Sequence, residues 1–259
     1  MKLKLFQVDA FAERVFEGNP AAVVPLPQWL DDDLLLRIAE ENNLSETAFL
    51  VKSATGYELR WFTPAAEVDL CGHATLAAAH VVFSHLGFDQ DEVRFSSRSG
   101  ELIVHRSEGG LMMDFPATRP TPVATPTAIT EALGFEPNHV LLGYDHIVVL
   151  DNEQQVRSLV IDLTPLRQLD SRGVVVTAAG EQYDCVSRCF YPKLNVPEDP
   201  VTGSAHCQLA PYWAEQLQKS ELNARQLSAR GGTIRCVVKG ERVQLYGRAV
   251  DYLIGTINL

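Results

Sequence analysis

The strongest constraint on this chain is that it reads the same way twice. Arg60-Trp-Phe62-Thr-Pro64 returns as Arg188-Cys-Phe190-Tyr-Pro192. Each run is followed by an acidic loop and then by a small-residue run, Leu70-Cys71-Gly72-His73-Ala74 or Val201-Thr202-Gly203-Ser204-Ala205. Each small-residue run opens an apolar helix, Thr75 to Leu86 in the first half and His206 to Leu217 in the second. A third landmark, Phe95-Ser-Ser-Arg98-Ser-Gly100, matches Leu227-Ser-Ala-Arg230-Gly-Gly232. The offsets are 128 residues from Phe62 to Phe190, 131 from Gly72 to Gly203 and 132 from Arg98 to Arg230. Solenoid repeats run only to about 50 residues, so this spacing argues for a duplicated domain. The expectation is two similar lobes, each a curled sheet around one helix, with a cleft between them.

The local patterns agree between the halves. Runs rich in Val, Leu and Phe, bounded by Gly, Pro, Asn or Asp, predict strands at 4–9, 21–25, 47–52, 57–62, 93–95, 101–105 and 111–115. The second half predicts them at 139–144, 146–150, 173–178, 183–190, 232–239, 242–247 and 252–259. A surface helix over 31–43 opens on an Asp run that suits a positive helix end. Proline lacks an amide hydrogen, so Pro116–Pro126 cannot be a central strand or a helix interior and reads as the linker. The expected lobes are therefore residues 1–116 and 117–259, with the C-terminal strand able to pack back on the first. The class is α+β.

Composition narrows the partners. The formal net charge of −11 argues against nucleic acid and anionic membrane, both of which select a basic face. No stretch approaches the apolar length of a membrane helix. Five cysteines, odd in number and not clustered, fit a reducing compartment. Gln7 and Asp9 interrupt the N-terminus, which lacks a signal-peptide core. A cytoplasmic protein is expected. An acidic protein still binds a small anion where backbone amides converge.

Such amides are expected at the two helix heads. Small residues at Gly72-His73-Ala74 and Gly203-Ser204-Ala205 let N–H groups approach a ligand, and each helix dipole adds about half a positive charge. Together they suit a carboxylate and the enolate-like charge that develops when the adjacent carbon loses a proton.

Six runs carry a family resemblance: Asp9-Ala-Phe11, Gly18-Asn19-Pro20-Ala21, Asn43-Leu-Ser45-Glu46-Thr47-Ala-Phe49, Arg60-Trp-Phe62-Thr-Pro64, Asp69-Leu-Cys-Gly-His-Ala-Thr75 and Glu198-Asp-Pro-Val-Thr-Gly-Ser-Ala-His206. They closely resemble the PhzF-like, phenazine-biosynthesis family, and Arg230-Gly-Gly232 extends the match. The resemblance implies the diaminopimelate-epimerase fold, isomerase chemistry without a cofactor or metal, a small anionic substrate and commonly a homodimer. It implies Glu46 as the group that shuttles a proton. His73, Asp199 and Ser204 are implied as further catalytic positions. Gly72, Ala74 and Gly203 supply backbone contacts, with Asn19 and Ser45 beside the cleft. Glu46 stands between a helix end and the apolar run Ala48-Phe49-Leu50-Val51, where desolvation is expected to raise its pKa.

Relatives of diaminopimelate epimerase invert a carbon with two thiols, one at each helix head. Aligning Gly72 with Gly203 sets Cys71 against Thr202, and a threonine hydroxyl is too weak an acid for that task. A hydrolase using Cys71 and His73 is disfavoured because neighbouring positions at a helix start point apart. Cys185, Cys189, His206 and Cys207 lack a standard zinc spacing. No Walker or dinucleotide glycine pattern is present. The alternative is a non-catalytic small-acid-binding or regulatory protein on the same scaffold.

Overall fold

The computed structural model describes residues 1–259. In chain order the elements are β1 (Lys2–Ala10), β2 (Asn19–Leu26), α1 (Asp32–Asn42), β3 (Glu46–Lys52), β4 (Tyr57–Phe62), β5 (Glu67–Val68) and α2 (Gly72–His85). Then come β6 (Glu92–Ser97), β7 (Gly100–Ser107), β8 (Gly110–Pro116), β9 (Thr121–Pro122), α3 (Thr127–Leu133), β10 (His139–Leu142) and β11 (His146–Val149). These are followed by α4 (Glu153–Ser158), α5 (Leu163–Leu166), β12 (Val174–Ala179), β13 (Cys185–Tyr191) and β14 (Val196–Asp199). The chain closes with α6 (Gly203–Leu217), β15 (Glu221–Gln226), β16 (Gly232–Lys239), β17 (Arg242–Gly247) and β18 (Ala249–Asn258). No helix is long and apolar enough to cross a membrane.

The chain divides into two compact units, 1–114 with 246–259, and 115–245. Residues 246–259 group with the first unit, where β18 pairs antiparallel with β1 along its whole length.

The duplication is written in the pairing order. In the first unit β1–β2 is antiparallel, β2–β3 parallel, β3–β4 antiparallel, β4–β6 parallel and β6–β7 antiparallel. In the second, β10–β11 is antiparallel, β11–β12 parallel, β12–β13 antiparallel, β13–β15 parallel and β15–β16 antiparallel. The parallel steps need crossovers. Helix α1 fills the first crossover, and α4 with α5 fills its counterpart; α2 and α6 fill the second pair.

Local chemistry explains these helices. Helix α1 buries Leu35, Ile38 and Ala39, the i, i+3, i+4 face of an amphipathic helix, and ends at Asn43 in the left-handed region. Helix α2 is buried nearly all round and packs on β1, β2, β3 and β18, as a core helix must. Helix α6 carries Pro211 in its interior. Proline cannot donate to the carbonyl four residues back. That carbonyl, Cys207 O, instead accepts the amide of Thr118 at 3.0 Å. The proline-rich segment is therefore anchored at one end, and it also forms β9, a two-residue edge strand on β10. The helices α3, α4 and α5 escaped the sequence reading, being only 7, 6 and 4 residues long. That is too short for a clear periodic signal.

Candidate active site

In the first unit, β3 and α2 bring together residues from three stretches of chain. Gly18 makes the turn into β2: its φ is +67°, and a Cβ there would lie 2.1 Å from Ala10 O. Asn19 follows, fully buried, and accepts a hydrogen bond from Ser45 Oγ at 3.4 Å. Glu46 begins β3 opposite Ala21 of β2. Its side chain is 18% exposed and that of His73 8%, with Oε2 3.1 Å from Nε2. The contact is at ion-pair distance without the alignment of a full hydrogen bond.

The other imidazole nitrogen of His73, Nδ1, is 3.5 Å from Cys71 Sγ. This corrects the expectation that residues 71 and 73 point apart. Cys71 is the extended N-cap of α2, with φ −143° and ψ 110°. The extended cap turns its side chain back over the first helical turn. Cys71, His73 and Glu46 form one chain of polar groups, with Nδ1 facing the Cys71 sulfur and Nε2 facing the Glu46 carboxylate. The Ala74 amide also bonds toward the Cys71 sulfur. Thr75 Oγ donates to Cys71 O at 2.6 Å and so closes the cap.

The electrostatics reverse another expectation. Burial desolvates Glu46 and by itself raises its pKa, but the charge and hydrogen bonding of His73, with a further bond from Cys71, outweigh it. The net shift is downward, so Glu46 rests ionised. Burial pulls His73 down, yet Cys71 and Glu46 lift it well above its ordinary value. Burial pushes the Cys71 thiol up, and the Glu46 charge adds to this. Cys71 therefore rests protonated, and Glu46 is the partner that sustains His73. Glu46, Cys71 and His73 each offer one donor atom within 4.8 Å of the others, a spacing a soft divalent metal would accept.

In the second unit the head of α6 is tied down from below. Thr202, its N-cap, donates to the Asp199 carboxylate. Gln226 clamps the same loop: its Oε1 accepts the Thr202 amide at 2.9 Å and its Nε2 donates to Asp199 O at 2.6 Å. Ser204 Oγ accepts from Arg172 Nη2 at 3.2 Å. Arg172 grips Asp145 through two bonds of 3.1 and 2.8 Å. Asp145 is fully buried and also accepts from Gln208 Nε2 at 2.8 Å and the Tyr191 hydroxyl at 3.4 Å. Sequence reading missed Asp145, Arg172, Gln208 and Gln226. A buried aspartate is rare, but nothing in Gly143-Tyr144-Asp145-His146 marks it as buried.

The repeated Arg-x-Phe-x-Pro motif does the same work in each unit. Arg60 makes two bonds of 2.7 Å to Glu67, and Arg188 makes bonds of 2.7 and 2.9 Å to Glu198. Each guanidinium lies 5.1 Å from the ring of the Phe two residues on. Each pair fixes the acidic loop that leads into its helix head.

The units differ where chemistry is at stake. Thr47 pairs with Phe62 on β4, and Val174 pairs with Phe190 on β13. Glu46 therefore corresponds to Gly173, where a Cβ would lie 2.2 Å from Phe190 O. His73 corresponds to Ser204, and Cys71 to Thr202. The carboxylate, imidazole and thiol all belong to the first unit.

The profile of the phenazine biosynthesis-like (PhzC-PhzF) family matches residues 8–255. An uncharacterized isomerase of Pseudomonas aeruginosa is 54% identical over 259 residues, covering 100% of both chains. A human phenazine biosynthesis-like domain-containing protein is 37% identical, covering 99% of both. The crystal structure of a PhzF-family protein from Enterococcus faecalis superposes with a TM-score of 0.98 at 46% identity, covering 100% of both chains. A hydroxyproline epimerase from Agrobacterium vitis, at 12% identity and a TM-score of 0.61, shares the fold and covers 99% of this chain and 92% of its own. The expected α+β, diaminopimelate-epimerase-like class is thus the observed one. Since the family match runs unbroken through Glu46, both helix heads and both arginine–glutamate pairs, the chain belongs to the phenazine biosynthesis-like, or PhzF, family.

Proposed function

We propose that this chain is a cofactor-independent isomerase that moves a proton on a small carboxylate substrate, cyclic ones included, with Glu46 as acid and base. An isomerase role in general rests on family membership and on relatives named isomerases, the Pseudomonas protein above among them. The observation that carries the finer reading is the Glu46–His73 contact. A depressed carboxylate pKa leaves Glu46 ionised and able to take a proton. A raised imidazole pKa lets His73 stabilise that charge and relay the proton.

In the proposed reaction a C–H bond next to the substrate carboxylate breaks and its proton goes to Glu46. The electron pair moves into the conjugated carboxylate. Amides at the head of α2, behind Gly72 and Ala74, stabilise the developing charge. A side chain at Gly72 would meet nothing within 4 Å and one at Gly203 only Leu245 at 3.6 Å, so packing does not demand either glycine. This supports a role for their backbones. Glu46 then returns the proton to another carbon or face. Asn19 and Ser45 position the Glu46 segment. Ser204 and the Gly203 backbone bind the substrate carboxylate, while Asp199 orients the substrate and relays protons. A homodimer is part of the proposal and is read by light scattering.

Solvent-deuterium exchange into a panel of β,γ-unsaturated and cyclic carboxylates tests this reading, with Glu46→Gln as control. Exchange undiminished in that variant would remove Glu46 from the mechanism. Tight binding of a small acid with no exchange would instead support a non-catalytic binding protein. One observation favours a second catalytic reading. The Cys71–His73 contact sets a thiol on the same proton path, and loss of exchange in Cys71→Ser would move the proton-transfer role to sulfur.

A further inference from the structure

The other end of α2 holds a second cluster of titratable groups. His80 and His85 are five residues apart, about 140° around a helix, so periodicity alone does not give them a common partner. Asp251 of β18 supplies one. Its Oδ1 lies 3.1 Å from His80 Nε2, and its Oδ2 lies 2.8 Å from His85 Nε2. The β1–β18 register slips at this point: Gln7 faces Leu253 and Val8 faces Asp251, leaving Tyr252 as the extra residue of a bulge. Bulges re-aim the side chains beside them, and the Asp251 carboxylate reaches both imidazoles. The His85 ring stacks on Phe6 with centroids 4.9 Å apart, and the His80 ring stands edge-on to His85 at 6.1 Å. Both rings are therefore held by packing as well as by the carboxylate.

We infer that His80, His85 and Asp251 form a binding site for a divalent first-row transition-metal ion, distinct from the Glu46 group. One donor atom from each residue lies within 4.8 Å of the other two. Metal–ligand bonds of about 2.0–2.2 Å set adjacent donors roughly 3 Å apart, and each imidazole nitrogen already lies at that spacing from one Asp251 oxygen, His80 from Oδ1 and His85 from Oδ2. Two imidazoles with one carboxylate suit zinc, cobalt, nickel or ferrous iron; magnesium and calcium prefer all-oxygen sets. Binding exchanges two N–H protons, now shared with the carboxylate, for the cation. The side chains are 19%, 23% and 33% exposed, leaving positions for water or an added ligand. A cavity of about 280 Å³ lined by His80, Phe83, Arg106, Gly109, Arg248 and Val250 adjoins the cluster at His80. Its two guanidiniums bond elsewhere, Arg248 to Glu13 and Arg106 to the carbonyls of Phe83 and Phe88.

The test is titration of the chelator-treated full chain with Co²⁺, followed by absorption spectroscopy. The expected result is one saturable equivalent with a visible d–d band, no thiolate charge-transfer band, and displacement by Zn²⁺. Asp251→Asn and His80→Gln should each weaken binding on the order of tenfold or more, while Cys71→Ala leaves it unchanged. A thiolate band would assign the ion to Cys71 instead and overturn the proposal. So would the lack of saturable binding at micromolar Co²⁺, or binding unaltered in the folded variants. If Asp251→Asn fails to fold, His80→Gln decides the matter.

Discussion

The Nε2 atom of His73 lies 3.1 Å from the Oε2 atom of Glu46, and both side chains are mostly shielded from water. One residue opens a strand and the other opens a helix, so the pair couples the heads of two elements. Each group sets the charge of the other. Burial opposes the charge on each, and each offsets that penalty for the other, at the end of a helix dipole that favours the anion.

Removing the carboxylate charge should therefore affect turnover more than fold. Glu46→Gln keeps the shape, and exchange should fall by roughly 10²–10⁴-fold, the usual range for a positioned acid–base group. Deuterium incorporation followed by NMR checks this, with substrate binding measured in parallel and expected to change little.

The pair should also write its signature on stability against pH. Glu46 is shifted down from 4.5, so its contribution is present above that value and is lost as pH falls through the lower folded value. His73 is shifted up from 6.5, so its contribution is complete below that value and is lost as pH rises through the higher folded value. The stability advantage of the native chain over a Glu46→Gln/His73→Asn double variant should thus be flat between 4.5 and 6.5 and shrink on both sides. Urea melts across pH measure it. An advantage that grows from pH 6.5 to 9 would contradict the ion pair.

Cys71→Ala should cost stability rather than chemistry. Losing the sulfur leaves the Nδ1–H of a buried imidazolium without its acceptor, a penalty of about 1–3 kcal/mol. Cys71→Ser retains an acceptor and should recover part of it. Exchange should fall less than tenfold in both, because burial keeps the thiol protonated. Paired urea melts and exchange rates separate the two effects.

Arg172→Leu should destabilise the second unit. It strands the fully buried Asp145, and breaking a buried pair costs about 3–5 kcal/mol. Arg172 is 41% exposed, and Gln208 and Tyr191 still donate to Asp145, so about 2 kcal/mol is expected. Asp145→Asn/Arg172→Leu should recover part of the loss, as a chemical-denaturation cycle would show.

The duplicated arginines give an internal control. Glu67→Gln and Glu198→Gln each weaken a two-bond, half-buried pair, and hydrogen bonds to charged groups contribute about 1.5–3 kcal/mol. The arginine bonds agree to within 0.2 Å, and Glu67 also pairs with Arg98 at 2.6 Å, so losses of similar size are expected with the larger at Glu67. Thermal unfolding of the two single variants checks it. A loss confined to one would show that the repeated motif has kept its structural role in only one unit.

The sequence alone determined whatever depends on neighbours along the chain. The duplication, most strands of both halves, the two helix heads and the alignment of Thr202 with Cys71 follow from composition and spacing. Pairing between distant segments was decided only in three dimensions. The register of β18 on β1, with its bulge at Tyr252, is set there, and Asp251 meets two histidines more than 160 residues away. Asp145 is buried under a helix head that follows it by some 60 residues. The charge of Glu46 illustrates the same division. Its apolar surroundings were legible and argued for a raised pKa, but the sign depends on an imidazole 27 residues later whose distance only packing sets. Electrostatic energy falls with separation and with solvent exposure, and neither quantity is written in the order of the residues.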